Sequence, residues 1–241
     1  MLVKTHGIVI RNTRYGEGSV ISKIYTRDFG MQSYMINGIY GAKSSLKASL
    51  LQPLMILDLV VYHHKLKDIQ RIKEAKCPHQ LVSLHFENTK AGICLFVSEV
   101  LNKTIKEEEP NEPLYDFIEN SILSLDSEQR TLAIWPILFL LRLSKWLGFA
   151  PENNFDKTAL TYFDLEAGMF TETKPITEWF ISPPASEYFS HLISWKPNEA
   201  QNLQIPKSIR IEIIHKLITY YKLHLADFKE IKSIEVLSEM A

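Results

Sequence analysis

Cys77, His79, His85 and Cys94 carry the donor atoms of a zinc site within one short stretch. Their spacing, C-x-H-x5-H-x8-C, matches no common zinc knuckle. Cys94 also falls on the apolar face of a helical pattern, where a cysteine is ordinarily a small core residue. The run YGEGSV, 15–20, gathers Gly16, Gly18 and Ser19 in the manner of a phosphate loop. A phosphate loop opens a helix and carries Lys-Ser/Thr, whereas a strand follows here, so a tight turn is expected. His63 and His64 end a strand, so at most one can face inward. Glu107, Glu108 and Glu109 read as a solvated charge run. The chain contains no G-x-S-x-G, no H-E-x-x-H and no dinucleotide fingerprint. No nucleophile, base and oxyanion donors come together, so no catalytic residue, metal or cofactor is expected and the chain does not read as an enzyme.

The remaining chemistry is charge. Residues 1–76 hold 12 Lys and Arg against 5 Asp and Glu, a balance of +7. Residues 77–241 hold 15 against 23, a balance of −8, so the net charge of −1 conceals two unlike parts. A basic half paired with an acidic one points to polyanion binding by the basic half.

The elements that must position these charges change character near the same point. Alternating, β-branched and aromatic stretches predict strands at about 3–12, 18–27, 31–39, 54–63 and 68–75. Asp28-Phe29-Gly30 turns the second strand into the third, and Lys65-Leu66-Lys67 turns the fourth into the fifth. The one long connection is GIYGAKSSLKASLLQPL, 38–54, in which Leu46, Leu50 and Leu51 have helical spacing and Pro53 ends the segment. Five short strands broken after the third suit a small closed barrel of the OB type. Beyond residue 77 the period becomes helical, over 93–101 and again over 114–125. Residues 128–149 are apolar almost all round and predict a central buried helix, kinked or begun by Pro136 and ended at Gly148. Residues 161–172 read as two short strands around a turn, and 185–195 and 207–225 as amphipathic helices. The expected class is α+β: an N-terminal five-stranded OB-type β-barrel, 1–77, followed by a mainly α-helical domain, 78–241, with a small β-hairpin.

Composition excludes several classes. With 46% apolar and 23% charged residues the chain is that of an ordinary globular protein. Its longest apolar run, Leu132 to Leu141, is far shorter than the roughly 20 residues of a membrane span. The N-terminus does not read as a signal peptide, and two cysteines do not make a disulfide framework, so a cytoplasmic location is expected.

Several motifs, taken in order, resemble those of the bacterial recombination-repair family RecO. The run from GIVIRN through the polar Gly/Glu turn, the T-R-D-F-G turn and the basic G-A-K segment to L-Q-P-L resembles that family's N-terminal domain. KWLGFAP, 145–151, is similar to the end of its main helix, FDLEAGMF, 163–170, to its hairpin, and YYKLHLADFKEIKSIEVL, 220–237, to its closing segment. The resemblance implies an OB barrel with a helical domain and no turnover of a small molecule. It implies binding of single- and double-stranded DNA, annealing of complementary strands, and help in loading recombinase onto coated single strands. The implied partners are RecR, RecF in many bacteria, and the acidic, Phe-ending tail of single-stranded-DNA-binding protein. On this reading the DNA-contacting residues are Arg11, Arg14, Tyr15, Lys23, Arg27, Tyr40, Lys43 and Lys47. The lysines and arginines would neutralise phosphates and the tyrosines would stack bases. Arg142 and Lys145, cations on an otherwise apolar helix, are the candidates for the partner tail.

Two departures stand out. Many family members carry a four-cysteine zinc site after the L-G-F-A-P helix; here that region holds no cysteine, so a hairpin held by packing alone is expected. The helical domain is acidic, which concentrates the expected DNA contacts on residues 1–76. An RNA-binding OB module and a protein-interaction scaffold without nucleic-acid binding are the competing readings.

Overall fold

Inward positions of the first strands alternate with solvent-facing ones, and this period of two closes the barrel. The computed structural model describes residues 1–39, 47–159, 161–196 and 204–240. The strands are β1 (Leu2–Tyr15), β2 (Ser19–Thr26), β3 (Gly30–Ile36), β4 (Ile56–Tyr62) and β5 (Ile69–Lys76). They form a closed barrel in the order β1-β2-β3-β5-β4, in which β3 and β5 run parallel and every other pair is antiparallel. Val9, Ile24, Tyr34, Leu57, Leu59 and Val61 fill the interior. Each aliphatic side chain among them contributes about 1.5–3 kcal/mol on burial. Gly7 is fixed by this packing, because a Cβ there would lie 2.6 Å from Ile24 Cγ2 and 2.8 Å from Leu59 Cδ1.

β1 is longer than its periodicity implies. A bulge between Val9 and Arg11 lets it bend and serve both neighbours, β4 with its first half and β2 with its whole outer half. The long connection after β3 contains a short 3-10 turn, Ala48–Leu51, at the place where leucine spacing suggested a helical segment. Its described ends are fastened to the β1–β2 hairpin. Ile39 N–H donates to Gly18 O at 3.1 Å, and Asn12 Nδ2 donates to Leu51 O at 2.6 Å.

Two helices, α1 (Asn88–Thr104) and α2 (Glu112–Ser127), belong with the barrel to one compact unit, Met1–Glu128. α1 packs on β1. α2 starts at Asn111, whose side chain accepts from Leu114 N–H at 3.1 Å and caps the helix. The chain before it crosses the β2–β3 turn: Met31 N–H donates to Glu107 O at 2.9 Å, and at Gly30 (φ +62°) a Cβ would lie 2.5 Å from Glu109 O. Lys90, fully buried, donates to Ser83 Oγ at 2.7 Å and to Asp126 O at 2.8 Å. The Asp126 carboxylate accepts the N–H groups of Val82, Ser83 and Leu84, and this node ties the 82–84 loop to the end of α2. Burial would raise the Asp126 pKa, but these hydrogen bonds prevail and hold it below the usual carboxylate value.

The second unit, Gln129–Ala241, contains α3 (Trp135–Trp146), β6 (Tyr162–Asp164), β7 (Met169–Thr171), β8 (Phe180–Ile181), α4 (Ala185–Ile193), α5 (Lys207–His224) and α6 (Ile234–Met240). The apolar 128–149 segment is helical only from Trp135, since Pro136 sits in the first turn and the residues before it form turns. Gly148, at φ +86°, follows its end. Tyr221, in α5, donates its hydroxyl to Leu140 O of α3 at 2.7 Å. The expected hairpin is β6–β7, and β8 adds a third strand beside β6. Phe163 packs edge-on against Phe170 and Phe189, with ring centroids 5.0 and 4.7 Å apart. Packing is not its only support: Asn154 Nδ2 donates to Phe170 O at 3.0 Å, and Asn154 Oδ1 accepts from Phe170 N–H at 2.7 Å. No helix among the described residues is long and apolar enough to cross a membrane.

Candidate nucleic-acid interface

The outer face of the barrel carries the charges that the interior cannot. Lys23 points away from the core because its neighbours Ser22 and Ile24 are fully buried. Register places Arg11 directly opposite Lys23, Lys23 opposite Ser33, and Ser33 opposite Ile69. The next row on the same face runs Thr13, Ile21, Met35, Arg71, Tyr62 and Leu2. With strands about 4.8 Å apart, the first row spans about 15 Å. Arg11, Lys23 and Arg71 are exposed, and none has a carboxylate partner among the described residues. Arg11 and Lys23 are like charges face to face, an arrangement that costs stability and is offset when an anion lies between them.

Arg14 and Tyr15 stand exposed at the β1–β2 turn, Tyr15 with 58% of its surface open. Lys47 is exposed just before the 3-10 turn, on the stretch that Asn12 ties to β1. Tyr40 and Lys43 lie outside the described residues. Arg27 is placed differently from the rest: its Nη2 lies 3.3 Å from both Glu112 Oε2 and Asp116 Oδ2 of α2. Its charge is thereby matched within the unit, and the geometry gives it a role in seating α2.

A second basic group, at the β4–β5 loop, extends the face. Lys65 and Lys67 are exposed there and Arg71 follows on β5. The loop is clamped by buried Gln70: its Nε2 donates to His64 O at 2.9 Å and Lys67 O at 2.6 Å, while its Oε1 accepts from His64 N–H at 2.9 Å. Lys65 and Lys67 were legible in the sequence only as turn residues. Nothing local shows that the turn adjoins the face formed by β2 and β3, because the parallel β3–β5 pairing that brings them together is long-range.

The four zinc-type donors are engaged separately. Cys77 donates to His79 O at 3.0 Å, His79 lies 4.0 Å from Glu119, His85 contacts Pro53 O at 2.8 Å, and Cys94 is buried with its thiol pKa pushed up to about 12, by burial and then by Asp126. Among the described residues no group of three or more His, Cys, Asp or Glu side chains could hold a metal ion.

Two family descriptions match consecutive parts of the chain: recombination protein O N terminal over residues 1–80, and recombination protein O C terminal over residues 85–233. The chain belongs to the RecO family. Similar proteins named DNA repair protein RecO come from Azobacteroides pseudotrichonymphae, 34% identical over 98% of both chains, and Christiangramia forsetii, 33% identical over 100% of this chain and 99% of the relative. A third, from Phocaeicola vulgatus, is 31% identical over 100% of this chain and 99% of its own. Within this RecO chain the N-terminal match covers the barrel and the C-terminal match begins just before α1, although α1 and α2 belong to the barrel's compact unit.

The RecO tail-binding candidates lie together on α3, three residues apart on one face. The Arg142 guanidinium sits 5.5 Å from the ring centre of Trp195, and burial lowers its pKa from the ordinary arginine value. Lys145 is exposed, and Trp146 beside it has 46% of its surface open.

Proposed function

We propose that this chain is a DNA-binding recombination mediator: a RecO protein that anneals complementary single strands and helps load recombinase onto coated single-stranded DNA. The observation that carries the reading is the pairing of Arg11 with Lys23, with Arg71 in the next row of the same outer face of an OB barrel. That face suits a strand held by its phosphates, with Tyr15 available for stacking. The reading places the contacts on Arg11, Arg14, Tyr15, Lys23, Lys47 and the Lys65/Lys67 turn, and assigns Arg27 to the fold. Membership of the RecO family supports a general role in DNA recombination and repair without catalysis of its own. RecR, and RecF where present, are the partners that membership suggests. Arg142, whose guanidinium lies over Trp195, and Lys145 are assigned to the acidic tail of single-stranded-DNA-binding protein. The test is annealing of complementary strands coated with the cognate single-stranded-DNA-binding protein. Acceleration by the wild type and loss in the Arg11→Ala/Lys23→Ala variant are expected; no acceleration by the wild type would overturn the reading.

A further inference from the structure

We propose that the cavity beneath the β4–β5 loop holds one unstacked base of a bound strand. The inference rests on the DNA-binding reading above and extends it to a specific pocket. The cavity is lined by Met1, Tyr62, His63, Lys67, Ile69 and Arg71, among others. Tyr62 and Ile69 leave 51% and 41% of their surfaces open, apolar area that the barrel does not bury. The apolar walls suit the flat face of a base, and Lys67 and Arg71 in the same lining suit the phosphate attached to it.

The surroundings of the cavity are fixed in advance of a ligand. His63 Nδ1 is closed off from solvent and has no hydrogen-bond partner among the described residues, so it is the ring face and not this nitrogen that the cavity can offer a base. The His63 ring is stacked on Phe29, with centroids 4.1 Å apart and planes 16° from parallel, so its edge is held in place. Burial, then the neighbouring cations, lowers its pKa and favours the neutral ring. The Gln70 clamp fixes the loop before any ligand arrives, which lowers the ordering cost of binding. Arg71 is opposite Tyr62 in the β4–β5 register and also opposite Met35 on β3, so a strand that follows the basic face arrives at this cavity.

The experiment compares a thymidine oligonucleotide with an abasic oligonucleotide of equal length, which keeps the sugar-phosphate backbone. Stacking one base on an aromatic side chain is worth about 5- to 150-fold in affinity. The full-length wild type should therefore prefer the thymidine strand by at least about fivefold. Tyr62→Ala should reduce that preference by at least about fivefold, and Tyr62→Phe should restore it. Lys65→Ala, a cation outside the cavity lining, should weaken both strands equally and leave the preference unchanged. Equal wild-type affinity for both strands would overturn the pocket while leaving phosphate-based DNA binding standing. An equal loss on both strands in Tyr62→Ala would also overturn the pocket. Failure of the wild type to bind either strand would overturn the pocket and the DNA-binding reading together.

Discussion

Replacing Arg11 and Lys23 together by glutamine should weaken DNA binding without weakening the fold. For a single strand, each phosphate that the protein no longer neutralises flattens the slope of log affinity against log salt by about 0.7. Two such phosphates should flatten it by about 1.4, so between 50 and 200 mM salt the wild type should lose about sevenfold more affinity than the variant. The two side chains oppose one another across the β1–β2 ladder and are both exposed. Removing like charges from directly opposite positions relieves a repulsion of about 0.2–1 kcal/mol, so the thermal midpoint should hold or rise. Fluorescence anisotropy of a labelled thymidine oligonucleotide across a salt series reads the slope, and differential scanning calorimetry reads the midpoint. An unchanged slope would refute the phosphate contacts. A flattened slope with a fallen midpoint would mean that the pair acts through the fold and not on the ligand.

Gly7→Ala should destabilise the barrel by about 1–3 kcal/mol, because the new methyl meets Ile24 and Leu59 inside a packed interior; urea denaturation checks this, and a loss below about 0.5 kcal/mol would show that the interior yields. Asp126 has a depressed pKa, so its contribution to stability is present above the ordinary value of 3.8 and is lost as pH falls through the folded-state pKa. Asp126→Asn should therefore be less stable than wild type at pH 7 but lose less stability on acidification below pH 4, a difference that vanishes if the loop node is unimportant. Purified protein should contain no stoichiometric zinc and a chelator should leave its unfolding unchanged; about one zinc per chain by elemental analysis would refute this.

The barrel was legible because its signal is local. Short runs rich in β-branched and aromatic residues, such as VISKIY and LMILDLVV, bounded by turn residues, mark the strands, and only the closure order required the structure. Arg11, Lys23 and Tyr15 were legible as cations and an aromatic near the first turn and on the second strand, but that Arg11 faces Lys23 across the ladder is a matter of register. Arg27 was not distinguishable from Lys23 in sequence, since its partners Glu112 and Asp116 lie far along the chain. The buried role of Lys90 was equally hidden, because its acceptors are the Ser83 hydroxyl and a carbonyl at the end of α2. β8 and α6 escaped for a different reason: a strand of two residues and a helix of seven carry too few periods to stand out.

The most direct measurement is photo-cross-linking of the full-length protein to a 4-thiothymidine oligonucleotide, with the modified peptides identified by mass spectrometry. Cross-links are expected in peptides covering residues 11–27 and 62–73, on the outer face of the barrel and its β4–β5 loop. Cross-links confined to residues 129–241 would contradict the assignment of DNA binding to the barrel.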